Sequence, residues 1–240
     1  MKNNLLVYIL SLCVCFEGLS QEYPGFIPSY QRFSGEKVAY FLKKDSSKVE
    51  GFIKALNRKK GLIEHVELKS GNKNESLILK PDQLLTVYLE PTSTSKFHQV
   101  TKNAFRIDKR GTYDLNNDLL NKGYVLCESH LTQVKKEEVY VLLQLVNPDF
   151  AGRIKVFDDP FGTEALSMSM YGMTMVGGNQ KSYYIKKDSD KVYKIKYSNI
   201  DDYIGSFFGD CPKVMALLGK GAVWSELNRY VYIYNTECGK

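Results

Sequence analysis

From Lys37 to Tyr197 the apolar residues come in short runs, many alternating with polar positions, and polar turns separate the runs. A period of two is what a half-buried strand requires, because successive side chains point to opposite faces of a sheet. VAYFLKK (38–44) and VEGFIKA (49–55) flank the turn DSSK, and LIEHVELK (62–69) and ESLILK (75–80) flank SGNKN, so both pairs are expected to be hairpins. In 62–69, Leu62, Glu64, Val66 and Leu68 alternate with Ile63, His65, Glu67 and Lys69, which places His65 on a wet face. LLTVYLE (84–90) adds a fifth strand and KFHQVTKNAFRI (96–107) a sixth.

The polar, turn-rich stretch 109–123 divides this region, and strands resume with YVLCESH (124–130), EEVYVLLQLVN (137–147) and RIKVFDD (153–159). The run VYVLLQLV is apolar on both faces, as a central strand is. SYYIKK (182–187) and VYKIKYS (192–198) form a further hairpin around DSDK. Beyond Ser198 the period changes. IDDYIGSFF (200–208), PKVMALLGK (212–220) and SELNRYVYIYN (225–235) read as helices, the second opened by Pro212 and closed by glycine. In the third, Leu227, Tyr230, Val231 and Tyr234 share one face, and Trp224 stands at its entrance. The fold class expected is α+β: an antiparallel β body with a C-terminal cap of two or three helices. The divisions are a signal peptide (1–20), a lead-in (21–36), β-rich modules at 37–115 and 116–198, and a cap at 199–240 packed on the second module.

The N-terminus sets the compartment. Lys2 precedes an apolar run from Leu5 to Phe16, and Gly18 and Ser20 are the small residues before a cut at Gln21. That run is shorter than the ~20 residues a membrane-spanning helix needs, and no later stretch is apolar enough to span. Leu12 and Val14, before Cys13 and Cys15, are too large for lipid attachment at either cysteine. A mature chain of about 220 residues in the periplasm or outside the cell follows. Its net charge of +6 is scattered rather than concentrated, which argues against nucleic-acid binding.

Export decides how the cysteines read. Of those left after processing, Cys211 opens one helix and Cys238 follows the last, so a Cys211–Cys238 disulfide would staple the cap. The competing reading makes Cys211 a reactive thiol at a helix start, but no histidine or second cysteine is close in sequence. Cys127 reads as a small buried hydrophobe. Four of the six methionines, Met168, Met170, Met173 and Met175, crowd into SMSMYGMTM, a spacing that suits Cu(I) by sulfur softness and otherwise forms an adaptable apolar loop. DLNND (114–118) imitates the opening of a calcium loop, but Leu119 and Val125 occupy the glycine and glutamate positions. Asp158 with Asp159, and Asp201 with Asp202, read as turn and helix-start residues. The sequence contains no nucleophile elbow, HExxH, phosphate loop or dinucleotide fingerprint, so catalytic residues are not assigned. Seventeen tyrosines suit both strands and binding surfaces. Tyr183, Tyr184 and Tyr193 are the candidate binding aromatics; of the consecutive pair, one is expected in the core and the other displayed.

FFGDCP (207–212), the tryptophan-led helix ending YNTEC (234–238), SYYIKK, VLLQLVN and IKVFDDP together resemble a class of secreted proteins of Gram-negative bacteria without an established activity. The VEGFIK hairpin and LKPDQLLTVYLE are similar to their N-terminal module. The resemblance implies architecture and export, and lends no cofactor, partner or site residue. The function expected is a non-enzymatic envelope or secreted module that binds a protein or a glycan. The alternatives are a periplasmic Cu(I)-binding protein using the methionine cluster, an unrecognised hydrolase, and a surface structural subunit.

Overall fold

The computed structural model describes residues 23–59, 61–69, 76–94, 115–134, 137–162, 169–170, 173–174, 182–188, 191–219 and 221–239. The signal peptide and the expected strand at 96–107 lie outside them.

The first hairpin is β1 (Val38–Lys43) and β2 (Lys48–Lys59), followed by β3 (Leu62–Lys69), β4 (Ser76–Leu79) and β5 (Leu84–Leu89). After a short helix α1 (Asn117–Asn121) come β6 (Val125–Val134) and β7 (Glu137–Gln144). Asn116 caps α1 by accepting a hydrogen bond from the Leu119 amide at 3.1 Å, which is the local role of the DLNND segment. The strand order is β2-β1-β5-β6-β7-β3-β4, and β2 pairs again with β3. Six antiparallel strands therefore close into a barrel, with β4 outside the ring.

The ring closes because β2 changes partner along its length. Its first half pairs with β1 and its second with β3, with register shifts at Ile53/Ala55 and Asn57/Arg58. Bulges of this kind bend a strand and increase its twist. The second shift leaves Glu64 as an extra residue on β3 and resets the alternation expected for 62–69. Ile63, Val66 and Leu68 face the barrel interior, whereas Leu62 packs on the outside. His65 keeps the outward face expected of it, beside Glu67 and Lys69, half-buried and 2.8 Å from the Asn57 side chain.

β8 (Ile154–Asp158), β11 (Ser182–Lys187) and β12 (Tyr193–Lys196) form a second antiparallel sheet, order β12-β11-β8. A two-stranded ribbon, β9 (Ser169–Met170) and β10 (Met173–Thr174), lies between β8 and β11 in sequence. The second sheet is buried on both faces. Phe157 and Tyr184 pack on the barrel exterior with Leu126 and Leu143, while Val156, Ile185 and Ile195 pack under the C-terminal helices. The expected division at residues 115 and 116 does not follow the sheet, because β5 pairs with β6 across it. The reason is that β6 and β7 are apolar on both sides: Cys127 and Leu142 fill the barrel, and their neighbours contact the second sheet.

The cap comprises a 3-10 segment (Tyr197–Tyr203), α2 (Ile204–Phe208), α3 (Pro212–Leu218), a 3-10 turn (Trp224–Glu226), α4 (Leu227–Ile233) and a π turn (Tyr234–Cys238). Leu227, Tyr230, Val231 and Tyr234 are all buried, as their spacing implies. The π turn carries Cys238 to Cys211, at a Cα separation of 5.6 Å and disulfide distance. It also presents Asn235 to the body. The Asn235 side chain accepts from the Ile154 amide at 2.9 Å and donates to the Phe150 and Ile154 carbonyls at 2.8 Å each. Gly152 makes room for it, since a Cβ there would sit 2.7 Å from the Asn235 side chain. Asp210, in FFGDCP, accepts from the Tyr234 hydroxyl at 2.8 Å and from Lys187 at 2.7 Å. The two motifs that end the chain thus lock to each other.

Candidate functional site

One run of aromatic rings crosses the second sheet, the cap and the N-terminal segment. Tyr197 meets Trp224 at 6.4 Å between centroids, Trp224 stacks on Tyr183 at 5.8 Å, and Tyr183 meets Phe26 at 5.1 Å. Phe26 stacks on Phe150 at 6.0 Å, Phe150 meets Tyr232 at 5.7 Å, and Tyr232 meets Tyr23 at 5.7 Å. The Arg229 guanidinium lies 5.0 Å over the Tyr23 ring and ends the row. Each part has a local cause. Tyr183 stands on the cap-facing side of β11 beside Ile185; Trp224 opens the turn into α4, and Tyr197 follows β12. Stacked and edge-on contacts of this kind contribute about 0.5–1.5 kcal/mol each beyond the area they bury.

The row is open at one end. Tyr197 is 67% exposed and Val223, beside Trp224, is exposed, whereas Phe150 is buried. Trp224, Tyr183, Phe26, Tyr232 and Tyr23 are half-buried. Near the open end Asp201 accepts from the Ala222 amide at 2.9 Å, Asn199 accepts from the Lys196 amide at 2.6 Å, and Asp202 is exposed. The Asp201 bond thus ties the segment that follows Tyr197 to the chain just before Trp224.

The three candidate tyrosines separate. Tyr183 belongs to the row. Tyr184 points the other way, 2% exposed against the barrel, its phenol pushed up to about 12 by burial and the Asp159 charge, against a hydrogen bond with Thr132. Tyr193 is 38% exposed and packs on Tyr203 and Phe207. Cys127 is sealed in the barrel, where burial pushes its thiol up to about 12. Met170 and Met173 are backbone register partners in the β9–β10 ribbon, whereas Met168 and Met175 lie outside the described residues. Among the described residues no group of three or more His, Cys, Asp or Glu side chains could hold a metal ion.

Two polar groupings escape sequence reasoning. The first is a cavity of ≈ 20 Å³, room for about one water molecule, lined by Tyr30, Gln31, Arg58, Cys127, Gln144 and Asp158 among others. Burial raises the Asp158 carboxyl to about 6, against a hydrogen bond from Ser29, with the Asp159 charge adding and the Arg58 charge opposing. The folded chain thus holds this proton more tightly than the unfolded chain does. Folding carries a penalty above pH 6 that disappears as the pH falls toward 3.8. Asp158→Asn is expected to stabilise the protein at pH 7 by about 1–2 kcal/mol, the amide still having to satisfy Ser29, and to change little near pH ~4. Chemical denaturation at the two pH values checks this.

The second grouping joins the barrel to the second sheet. Glu128 accepts from Lys155 at 2.6 Å and lies 3.2 Å from His130, whose ring meets Phe157 edge-on at 4.7 Å. Burial works against the Glu128 carboxylate, yet His130 and Lys155 hold it down at about 2. Nearby, fully buried Asp159 is met by Lys194 at 2.6 Å and by the Ser182 hydroxyl at 2.5 Å. The alternation of Glu128, His130 and Thr132 along β6 was the available sequence signal, but its partners come from strands more than twenty positions away. Compared with protein-family models, curated proteins and solved structures, the chain has no match.

Proposed function

We propose that the protein is an exported, non-catalytic binding module that holds a glycan against Tyr197, Trp224 and Tyr183. The observation that carries this reading is the open end of the row: a tyrosine two-thirds exposed, edge-on to a tryptophan that stacks on a second tyrosine. Ring faces receive the apolar faces of sugars, and carboxylate and amide groups at their edges suit the hydroxyls. Asn199, Asp201 and Asp202, which follow Tyr197 in the same 3-10 segment, would supply such groups. A protein hot spot favours an anchor in a desolvated pocket, which this polar, exposed end does not offer. The adjacent ionisable pair Glu128 and His130, the chemistry a hydrolase would need, is buried on the far face of the second sheet. Export rests on the N-terminal sequence, and a cysteine pair at disulfide distance is compatible with it.

Retention of the mature protein on insoluble polysaccharides, purified peptidoglycan, chitin and cellulose, tests the reading. Tyr197→Ala is expected to weaken retention on the bound polymer about 3–10-fold and Trp224→Ala more than 10-fold, with the Tyr197 variant melting as wild type does. Binding to none of the three, together with specific crosslinking of Tyr197-proximal positions to an envelope protein, would replace the glycan by a protein partner.

A further inference from the structure

The aromatic row is covered along its inner half. Residues 23–33 lay Phe26 against Tyr183 and Phe150, and Tyr23 against Tyr232. This segment forms no strand with the body beyond a single bridge, Phe33 with Pro91. Most of its ties run to side chains. Gln144 accepts from the Tyr30 amide at 2.9 Å and donates to the Pro28 carbonyl at 3.3 Å; Asn228 donates to Pro24 at 3.0 Å. Arg58 donates to the Gln31 carbonyl at 3.4 Å, Ser29 bonds Asp158, one backbone bond joins Ile27 to Val146 at 2.7 Å, and at the Phe33 bridge the Thr92 amide donates to the Arg32 carbonyl at 3.2 Å. Beneath Tyr30, Gln31 and Phe33 lies the water-sized cavity with Arg58, Gln144 and Asp158 in its wall. Its apolar side chains, Tyr23, Phe26, Ile27, Tyr30 and Phe33, are only partly buried against the two cores, and a segment held in this way and by separate side-chain bonds, rather than by a ladder, belongs to the low end of local stability.

We infer that residues 23–33 are a strap that opens locally about Phe33, and that its release extends the recognition surface from Tyr197, Trp224 and Tyr183 to Phe150 and Tyr232. The use of the uncovered rings rests on the glycan reading; the opening itself does not. Opening is coupled to pH through its seat. Asp158 faces Arg58 from β2, Cys127 from β6, Tyr183 from β11 and Ser29 from the strap, with Asp159 beside it. Lifting the strap admits water to the Asp158 carboxyl, so protonation favours the closed form and ionisation the open one. The opening equilibrium should rise as the pH passes from about 4 to 6 and level off above, by at most about 100-fold if the strap accounts for all of the burial.

Amide exchange of the whole mature protein, followed by NMR and corrected for intrinsic rates, tests this. Ile27 and Tyr30 are expected to exchange by a local opening, far faster than Val141 and Leu143 in β7, and about 10–100-fold less protected at pH 7 than at pH 4.5. In Asp158→Asn the pH difference should vanish. Exchange of Ile27 and Tyr30 only together with β7, or equal protection at both pH values, overturns the strap. In a second arm, Phe26→Ala is expected to bind chitohexaose or cellohexaose several-fold more tightly with β7 protection unchanged. Unchanged affinity for a sugar that binds overturns the extension of the surface. Failure of the wild type and of Phe26→Ala to bind either sugar removes that extension along with the glycan reading, while the exchange arm still decides the opening.

Discussion

Replacing Cys211 and Cys238 by alanine is expected to lower the unfolding free energy by about 3–4 kcal/mol, the chain entropy released by opening a loop of this size. The two positions are 27 residues apart, and the loop between them contains α3, the Trp224 turn and α4. None of these helices exceeds seven residues, so none is stable alone, and their persistence depends on packing and on the bridge. The loss should therefore fall first on the cap, and the emission of Trp224, the single tryptophan, should shift red before the barrel unfolds. Denaturant titration of oxidised and double-alanine protein checks both. A loss below about 1 kcal/mol would mean that Asn235, with its bonds to Phe150 and Ile154, anchors the cap unaided.

A comparable loss, about 3–5 kcal/mol, is expected for Glu128→Ala, because it leaves Lys155 and His130 facing each other at a buried interface without their anion. Glu128→Gln should lose less, since it keeps the shape and one acceptor. The pH dependence has a definite sign. Glu128 titrates near 2 when folded against 4.5 as a free side chain, so its contribution is complete above 4.5 and is lost as the pH falls toward 2. Asp158 runs the opposite way, penalising folding progressively between 3.8 and about 6. These two groups alone place the stability maximum at about pH 4–5. Glu128→Gln should flatten the acid limb and Asp158→Asn the neutral one, as denaturation midpoints across the pH range would record.

The local pattern was legible wherever its causes are local. Short apolar runs between polar turns marked β1, β2, β6 and the β11–β12 hairpin, a run apolar on both faces marked β7, and the apolar spacing of Leu227, Tyr230, Val231 and Tyr234 marked the buried face of α4. The placement of Cys211 and Cys238 at the two ends of a helical pair pointed to their proximity. What could not be read is set by contacts distant in sequence. The bulge at Glu64 depends on how β2 coils between β1 and β3, so Leu62 and Ile63 exchanged the faces expected of them, while His65 kept its own. Closure of the barrel depends on the pairing of Ile63 with Leu142, nearly eighty residues away. Alternation required Tyr183 and Tyr184 to diverge, but only the layer order decides which one meets the barrel. Asp159 is the turn residue expected, its carboxylate accepting from the Phe161 amide at 3.1 Å, but the burial that separates an Asp158 carboxyl raised to about 6 from an Asp159 paired with Lys194 has no local signature. The lead-in at 21–36 carried no periodicity, since its partners are Gln144, Tyr183 and Tyr232 rather than a neighbouring strand.

The central claim is that Tyr197, Trp224 and Tyr183 form a sugar-binding surface, and Trp224 supplies its own probe. Titration of the mature protein with soluble chitohexaose, cellohexaose and peptidoglycan fragments, followed by tryptophan emission, tests it most directly. The expected result is a saturable change in emission with at least one of these sugars, weakened in Tyr197→Ala. The contradicting result is emission unmoved by all of them, or a change of equal affinity in Tyr197→Ala.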